Sequence, residues 1–190
     1  MSSLKSKQQI REENINNNIA MWCSFWRENP HRFIVDYLGI KLFIFQQILI
    51  YFFFKKDFSL FLGSRGLGKT FLVAVFCCAR AILYPGTNIV VVSSTRQQSG
   101  IIINQKIAKE LMGKYPLLAT EIKEIKTGIN ESTVIFKNGS TIQTAVCSDN
   151  ARGLRCQILV LLMPFYIEIY EMNQAKSMKA NLLKMVAKLL

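Results

Sequence analysis

One stretch of eight residues constrains this chain more than any other: Gly63-Ser64-Arg65-Gly66-Leu67-Gly68-Lys69-Thr70. It meets the pattern G-x-x-x-x-G-K-[ST] in full, and its surroundings fit. An apolar run at 58–62 precedes it, and an apolar segment at 69–84 follows until Pro85-Gly86 stops it. Strand, glycine-rich turn and helix in that order wrap backbone N–H groups around a phosphate and aim the positive end of the helix dipole at it. Lys69 is expected to neutralise β- and γ-phosphates, and Thr70 to offer its hydroxyl to Mg²⁺. The expected nucleotide cradle is Gly63, Ser64, Arg65, Gly66, Leu67, Gly68, Lys69 and Thr70. Arg65 adds a planar cation that could bridge phosphate oxygens and stabilise transferring charge; the other reading is an exposed charge on a loop tip.

The segments around the loop set the fold class. A helix at 69–84 that is apolar nearly all round must be buried. Ile89-Val90-Val91-Val92 is a β-branched run of the kind found in parallel strands covered on both faces. Ser94 with Gln97 forms a potential capping box for a helix reaching Met112, with Ile103, Ile107 and Leu111 on one side. Segments 133–137 and 140–146 flank Asn138-Gly139, which suits a tight hairpin turn. After a polar loop at 148–155, Gln157-Ile158-Leu159-Val160-Leu161 reads as another buried parallel strand. The order predicts a three-layer α/β P-loop domain with a mainly parallel central sheet.

Upstream, Ile15, Ile19, Trp22 and Trp26 recur at helical spacing, and that helix should stop before Pro30. Asn29 and Pro30 suit the cap and first position of a short helix through Leu38, closed by Gly39. The greasiest window, 40–54, is interrupted by Gln46 and Gln47 and falls short of the ~20 apolar residues of a membrane span, so it is expected to be core.

At 190 residues and 51% hydrophobic content the chain fits one globular domain. A formal charge of +12 implies an acidic partner, nucleic acid or anionic lipid, without choosing between them. The five cysteines, Cys23, Cys77, Cys78, Cys147 and Cys156, contain no C-x-x-C pair, and His31 is the single histidine, so a zinc site is not expected. Free cysteines inside an apolar helix point to a reducing, cytoplasmic setting, and the polar start does not read as a secretory signal.

Several segments together resemble the large terminase subunit of tailed bacteriophages, in its N-terminal ATPase region. They are Asn29-Pro30-His31-Arg32-Phe33 with Asp36-Tyr37-Leu38-Gly39-Ile40, then Phe45-Gln46, the loop with its internal Arg65, and Asn150-Ala151-Arg152-Gly153-Leu154-Arg155. The resemblance covers roughly 22–161. It implies an additional-strand P-loop ATPase that uses ATP and Mg²⁺ to pump double-stranded DNA into a procapsid, in the host cytoplasm. The implied partners are a terminase small subunit and a portal protein, with a homo-oligomeric ring and no membrane. It also implies that Gln46 reads adenine, since an amide offers a donor and an acceptor at once; by residue type alone Gln46 and Gln47 are the wet face of a helix. Arg152 and Arg155 would sense nucleotide or a neighbouring subunit, or else form a solvated basic loop.

The resemblance breaks where aspartate and glutamate should end the strand after 157. Leu162 and Met163 stand there, and neither side chain binds a hard cation or accepts a proton. Impaired hydrolysis is the expectation. Leu-Met can be encoded TTG-ATG, another frame of which holds GAT for aspartate, so a change of frame that truncated the product would account for the departure. The chain is thus divided into a helical preface (1–40), a partial ATPase core (41–161) and a divergent helical tail (162–190) in which Met178, Leu182, Met185 and Leu189 form an amphipathic pattern. No nuclease domain is expected, and the domain is expected to be incomplete at its C-terminus. Two other functions stay open: a nucleotide-binding remnant without catalysis, and a helicase-like P-loop ATPase unconnected with packaging.

Overall fold

A computed structural model of the chain describes residues 7–64, 66–95, 98, 100–128, 132–146, 156–163 and 166–171. Arg65, Gln97, the 147–155 segment with Arg152 and Arg155, and the pattern around Met178 and Met185 lie outside the described residues. Helix α1 (Lys7–Glu28) ends before Pro30, as expected of a residue run meeting proline. Pro30 opens α2 (Pro30–Arg32), which continues as a wider-wound turn over Phe33–Tyr37, where the Leu38 N–H reaches back five residues to the Phe33 carbonyl. Asn29 does not cap this helix with its side chain; its Nδ2 donates instead to the Phe25 carbonyl at 3.1 Å. Gly39, at φ 71°, turns the chain out of the helix, a region a side chain would resist.

The window expected to be core is only half so. Its helix, α3 (Ile44–Lys55), buries one stripe, Gln46, Ile50, Phe53 and Phe54, at helical spacing. Phe43, Ile44, Phe45, Ile48, Tyr51 and Phe52 are exposed, because a helix lying against one layer can bury only one side. Phe53 and Phe54 meet Phe76 of the next helix edge-on, with ring centroids 5.8 and 5.2 Å apart.

Strand β1 (Phe58–Leu62) leads through the loop into α4 (Lys69–Leu83). Twelve residues of α4, including Leu72 through Ala81 without a break, are buried, which meets the expectation drawn from its all-round apolarity. Each fully buried Val, Leu or Phe of such a helix contributes about 1.5–3 kcal/mol by leaving water. Its C-terminal carbonyls are met by the hairpin turn, where Asn138 Nδ2 donates to Ala81 O at 2.7 Å and Ile82 O at 3.2 Å. Orphan acceptors at a helix end are thereby paired and the hairpin is tied to α4.

Strand β2 (Asn88–Ser93) follows, then α5 (Ile101–Leu111), wound with the Met112 N–H on the Ile107 carbonyl, and α6 (Met112–Lys114). Ile103, Ile107 and Leu111 are buried as the spacing predicts. The cap differs from the Ser94 expectation: the Gln98 N–H donates to Thr95 Oγ1 at 3.3 Å, while Ser94 Oγ donates to the Gln98 side chain. Short α7 (Pro116–Glu121), β3 (Ile122–Thr127), β4 (Ser132–Phe136), β5 (Thr141–Val146), β6 (Ile158–Leu162) and β7 (Tyr166–Glu171) complete the described chain. Gly139 holds φ 83° in the turn between β4 and β5, as Asn138-Gly139 predicts.

The strands form one seven-stranded sheet in the order β1-β7-β6-β2-β5-β4-β3. The α/β class holds, with parallel pairing at the centre of the sheet, where β2 pairs with β5 and β6. Both flanks are antiparallel: β4 and β3 extend one side, and β7 separates β6 from β1 on the other. Residues 166–171, expected to belong to a helical tail, form instead a strand between β1 and β6, with Ile167 and Ile169 buried on the helical side. The described residues supply two layers, the sheet and the helices on one face. The opposite face carries a smaller buried cluster of Val90, Val92, Ala145, Leu159 and Leu161, with Tyr170 beside it.

An ion pair fastens β7 to α4. Arg80, its side chain 9% exposed, bonds Glu171, 26% exposed, and its guanidinium lies 3.9 Å from the Tyr84 ring centroid. Removing one partner of a buried pair costs up to about 3–5 kcal/mol, and partial exposure of Glu171 lowers that. Glu171→Ala is therefore expected to destabilise the fold by about 2 kcal/mol, read from the urea midpoint. Burial pushes the Cys78 thiol up to about 12 and raises that of Cys77 as well. Native protein alkylated at mildly alkaline pH should be modified at half-buried Cys23 and spared at Cys77 and Cys78 until it is unfolded, as peptide mass mapping would show.

Candidate phosphate-binding site

The loop sits where two physical requirements coincide. Strand β1 runs in the same direction as β6, since each pairs antiparallel with β7, so its carboxyl end opens at the same edge as those of β6 and β2. Ligands in open α/β sheets bind at that edge. Helix α4 starts there, with the unpaired N–H groups of its first turn pointing at the loop.

Gly66 at φ 91° and Gly68 at φ 71° hold the left-handed backbone that lets the loop double back. Gly63 is crowded for another reason: a Cβ there would meet the Phe61 ring and Leu67 Cδ1 at 3.1–3.2 Å, so those side chains would have to shift. Lys69 is buried, 8% exposed, and its Nζ donates to the carbonyls of Gly63 at 2.9 Å and Ser64 at 2.7 Å. The ammonium is thus folded onto the loop it belongs to, within reach of anything the loop encloses. Thr70 is half-buried at the mouth; Ser64 and Leu67 are exposed.

Gln46 comes from α3 to the same place. An ideal Cβ on Gly68 would stand 3.6 Å from Gln46 Nε2, so the amide borders the loop rather than solvent. Its Oε1 accepts the Phe43 N–H at 3.1 Å, which fixes the start of α3 and leaves the Nε2 donor facing the loop. Gln47, by contrast, donates to the Leu42 carbonyl. Ser93 is buried with its hydroxyl on the Thr95 carbonyl, and Ser94 and Thr95 are exposed.

A cavity of about 380 Å³ opens over this loop. Gly66, Gly68, Lys69, Thr70 and Phe71 form one wall, Gln98, Ile101 and Lys106 a second, and Leu162 with Met163 a third. Lys106, Gln98 and Ile101 were not foreseen. Only the rule that the helix after the second strand packs beside the first could have pointed to them, and no spacing in the sequence aims Lys106 at the loop.

The third wall matters most for chemistry. Phe61 and Leu162 lie level in register on either side of Ile167 of β7, two strand spacings or about 10 Å apart, so the end of β6 stands beside the start of the loop. The resemblance leads one to expect an acidic pair at that position, which holds an alkyl group and a thioether. The next acids do not substitute. Glu168 pairs in register with Leu60 and Leu161, on the sheet face away from the helices, and accepts the Tyr170 hydroxyl at 2.8 Å. Glu171 is engaged with Arg80 at the opposite end of β7. Magnesium takes near-octahedral oxygen ligands, usually with a carboxylate among them. The described cavity wall offers one hydroxyl, that of Thr70, and no carboxylate, so it does not fit a protein-held magnesium ion.

Comparison with known proteins bears on what this arrangement belongs to. No curated protein matches the chain significantly. Among solved structures, a mutant of the large terminase ATPase domain of a Thermus phage is similar, at 16% identity and a TM-score of 0.46, covering 67% of this chain. The chain spans 55% of the length of that structure. The family model described as terminase large subunit, T4likevirus-type, N-terminal, matches residues 60–159, from within β1 through the loop, α4 and β2 to β6. That match takes in more than half of the chain, and the protein belongs to the T4likevirus-type large terminase subunit family through its N-terminal region.

Proposed function

We propose that this chain is the ATP-binding part of a phage DNA-packaging motor, with hydrolysis impaired by the residues at the end of β6. The observation that carries the reading is the cavity bounded by the turn at Gly66 and Gly68, the buried Lys69 and the start of α4. Backbone donors, a helix N-terminus and an ammonium converge on one volume, which is the chemistry of a phosphate chain. In this reading Lys69 and Arg65 act on the phosphates and Thr70 is the single described side chain that could touch an accompanying Mg²⁺. Gln46, whose Nε2 borders Gly68, would donate to the nucleotide in this reading.

Double-stranded DNA is the polyanion that the +12 charge and the family favour. A small subunit and a portal ring are the proposed protein partners, in the host cytoplasm. No helix among the described residues is long and apolar enough to cross a membrane. The exposed Phe43, Ile44, Ile48 and Phe52 of α3 form an apolar surface suited to a neighbouring subunit in a ring.

Loss of an activating base commonly costs about 10²–10⁴-fold in rate, so hydrolysis with or without DNA is expected to stay near background. The test is calorimetric titration with ATP and ADP beside a steady-state assay. Wild-type protein should bind both, and Lys69→Ala, with its fold verified by circular dichroism, should bind about tenfold or more weakly, the worth of one charged hydrogen bond. Equal affinity in the two proteins would remove the phosphate-binding reading.

A further inference from the structure

The cavity over the loop is bounded by positive charge on two sides. Lys69 lies on the α4 wall and Lys106 on the α5 wall, while the other described lining side chains are apolar or neutral: Phe71, Ile101, Leu162, Met163, Thr70 and Gln98. Loops of this kind ordinarily rely on magnesium to bridge the β- and γ-oxygens and offset their charge, with a strand carboxylate holding the ion in place. Here the strand end is hydrocarbon and sulfur, which a hard cation does not choose over water.

Lys106 is free to take up part of that task. Its Nζ lies 2.6 Å from Glu110 Oε2, one turn further along α5, and the two side chains are 30% and 31% exposed. Partly exposed ion pairs at i,i+4 are weak, because water competes for both charges. An ammonium has three donors, so it can keep Glu110 and still meet a phosphate oxygen.

We propose that this cavity takes the phosphate chain of a nucleotide as a free anion, without a metal ion, the Lys106 ammonium acting as the fixed counter-charge across from Lys69. The inference rests on the phosphate-binding reading above and deepens it. It assigns Lys106 as a binding residue and makes magnesium dispensable for affinity. It also accounts for binding without turnover: a cation that is part of the protein offsets ground-state charge but orients no attacking water.

The experiment measures ATP affinity by calorimetry in excess magnesium chloride and in excess EDTA, for the full chain and for Lys106→Gln, Lys106→Arg and Glu110→Gln. The wild-type dissociation constants in the two buffers should agree within about threefold. Lys106→Gln should weaken binding by about tenfold in both, Lys106→Arg should restore most of it, and Glu110→Gln, which frees the ammonium, should not weaken it. Affinity about tenfold or more tighter with magnesium, or a Lys106→Gln protein that binds ATP as the wild type does, would overturn the proposal while leaving the phosphate site standing. Absence of any ATP or ADP binding in either buffer would remove that site and this inference with it.

Discussion

Helix α4 is the member on which the rest of the molecule is assembled. Its unbroken buried run from Leu72 to Ala81 lets α3 pack through Phe53 and Phe54, α5 pack alongside, and the sheet pass beneath, so it has almost no freedom to tilt. Both ends are then used. The C-terminal end is fastened by Asn138 and by the Arg80–Glu171 pair, and the N-terminal end delivers Lys69 and the first-turn N–H groups to the loop. A fixed helix is what gives the turn at Gly66 and Gly68 a base to close on.

Much of this was legible in the sequence, for reasons that differ from element to element. The loop announces itself because glycine is the residue that most readily takes the left-handed angles at Gly66 and Gly68, and the hairpin because Asn138-Gly139 suits few other turns. Strand β2 was legible because a β-branched run covered on both faces admits little else. Strand β7 was missed although Ile167 and Ile169 alternate with Glu168 and Tyr170, since the segment was read as continuing into a helical tail. Strand β3 was hidden by its charges, with Lys123, Glu124 and Lys126 on an edge where solvent is available, and by the register shift between Ile122 and Glu124. The extent of burial on α3 was overestimated because hydrophobicity alone does not say how many neighbours a helix will have. At the site, the motif points to Lys69 and Thr70 and the family resemblance to Gln46, whereas Lys106 depends on where α5 lies, which is a tertiary fact.

Two departures from expectation meet at the end of β6. Were this flank parallel, the loop strand would stand beside β6, and the resemblance calls for acids at the end of β6. Here a tight antiparallel return, in which the Met163 N–H donates to the Tyr166 carbonyl at 3.0 Å, places β7 in that position. The same few residues therefore alter both the sheet and the third wall of the cavity. What survives is the part of the site that depends on backbone and on α4; what is altered is the part that depended on side chains at the strand end.

The pairing of β1 with β7 joins residues far apart along the chain, Phe58 opposite Tyr170. Among the described strands β1 has no other partner, so its place in the sheet is set only once residues 166–171 exist. A ribosome making this chain will have released the loop, α4, β2 and the β4–β5 hairpin before the strand that aligns β1 with them. The nucleotide pocket is accordingly a late product of synthesis, and a nascent chain halted before β7 would carry the full signature motif with nothing to hold it in register.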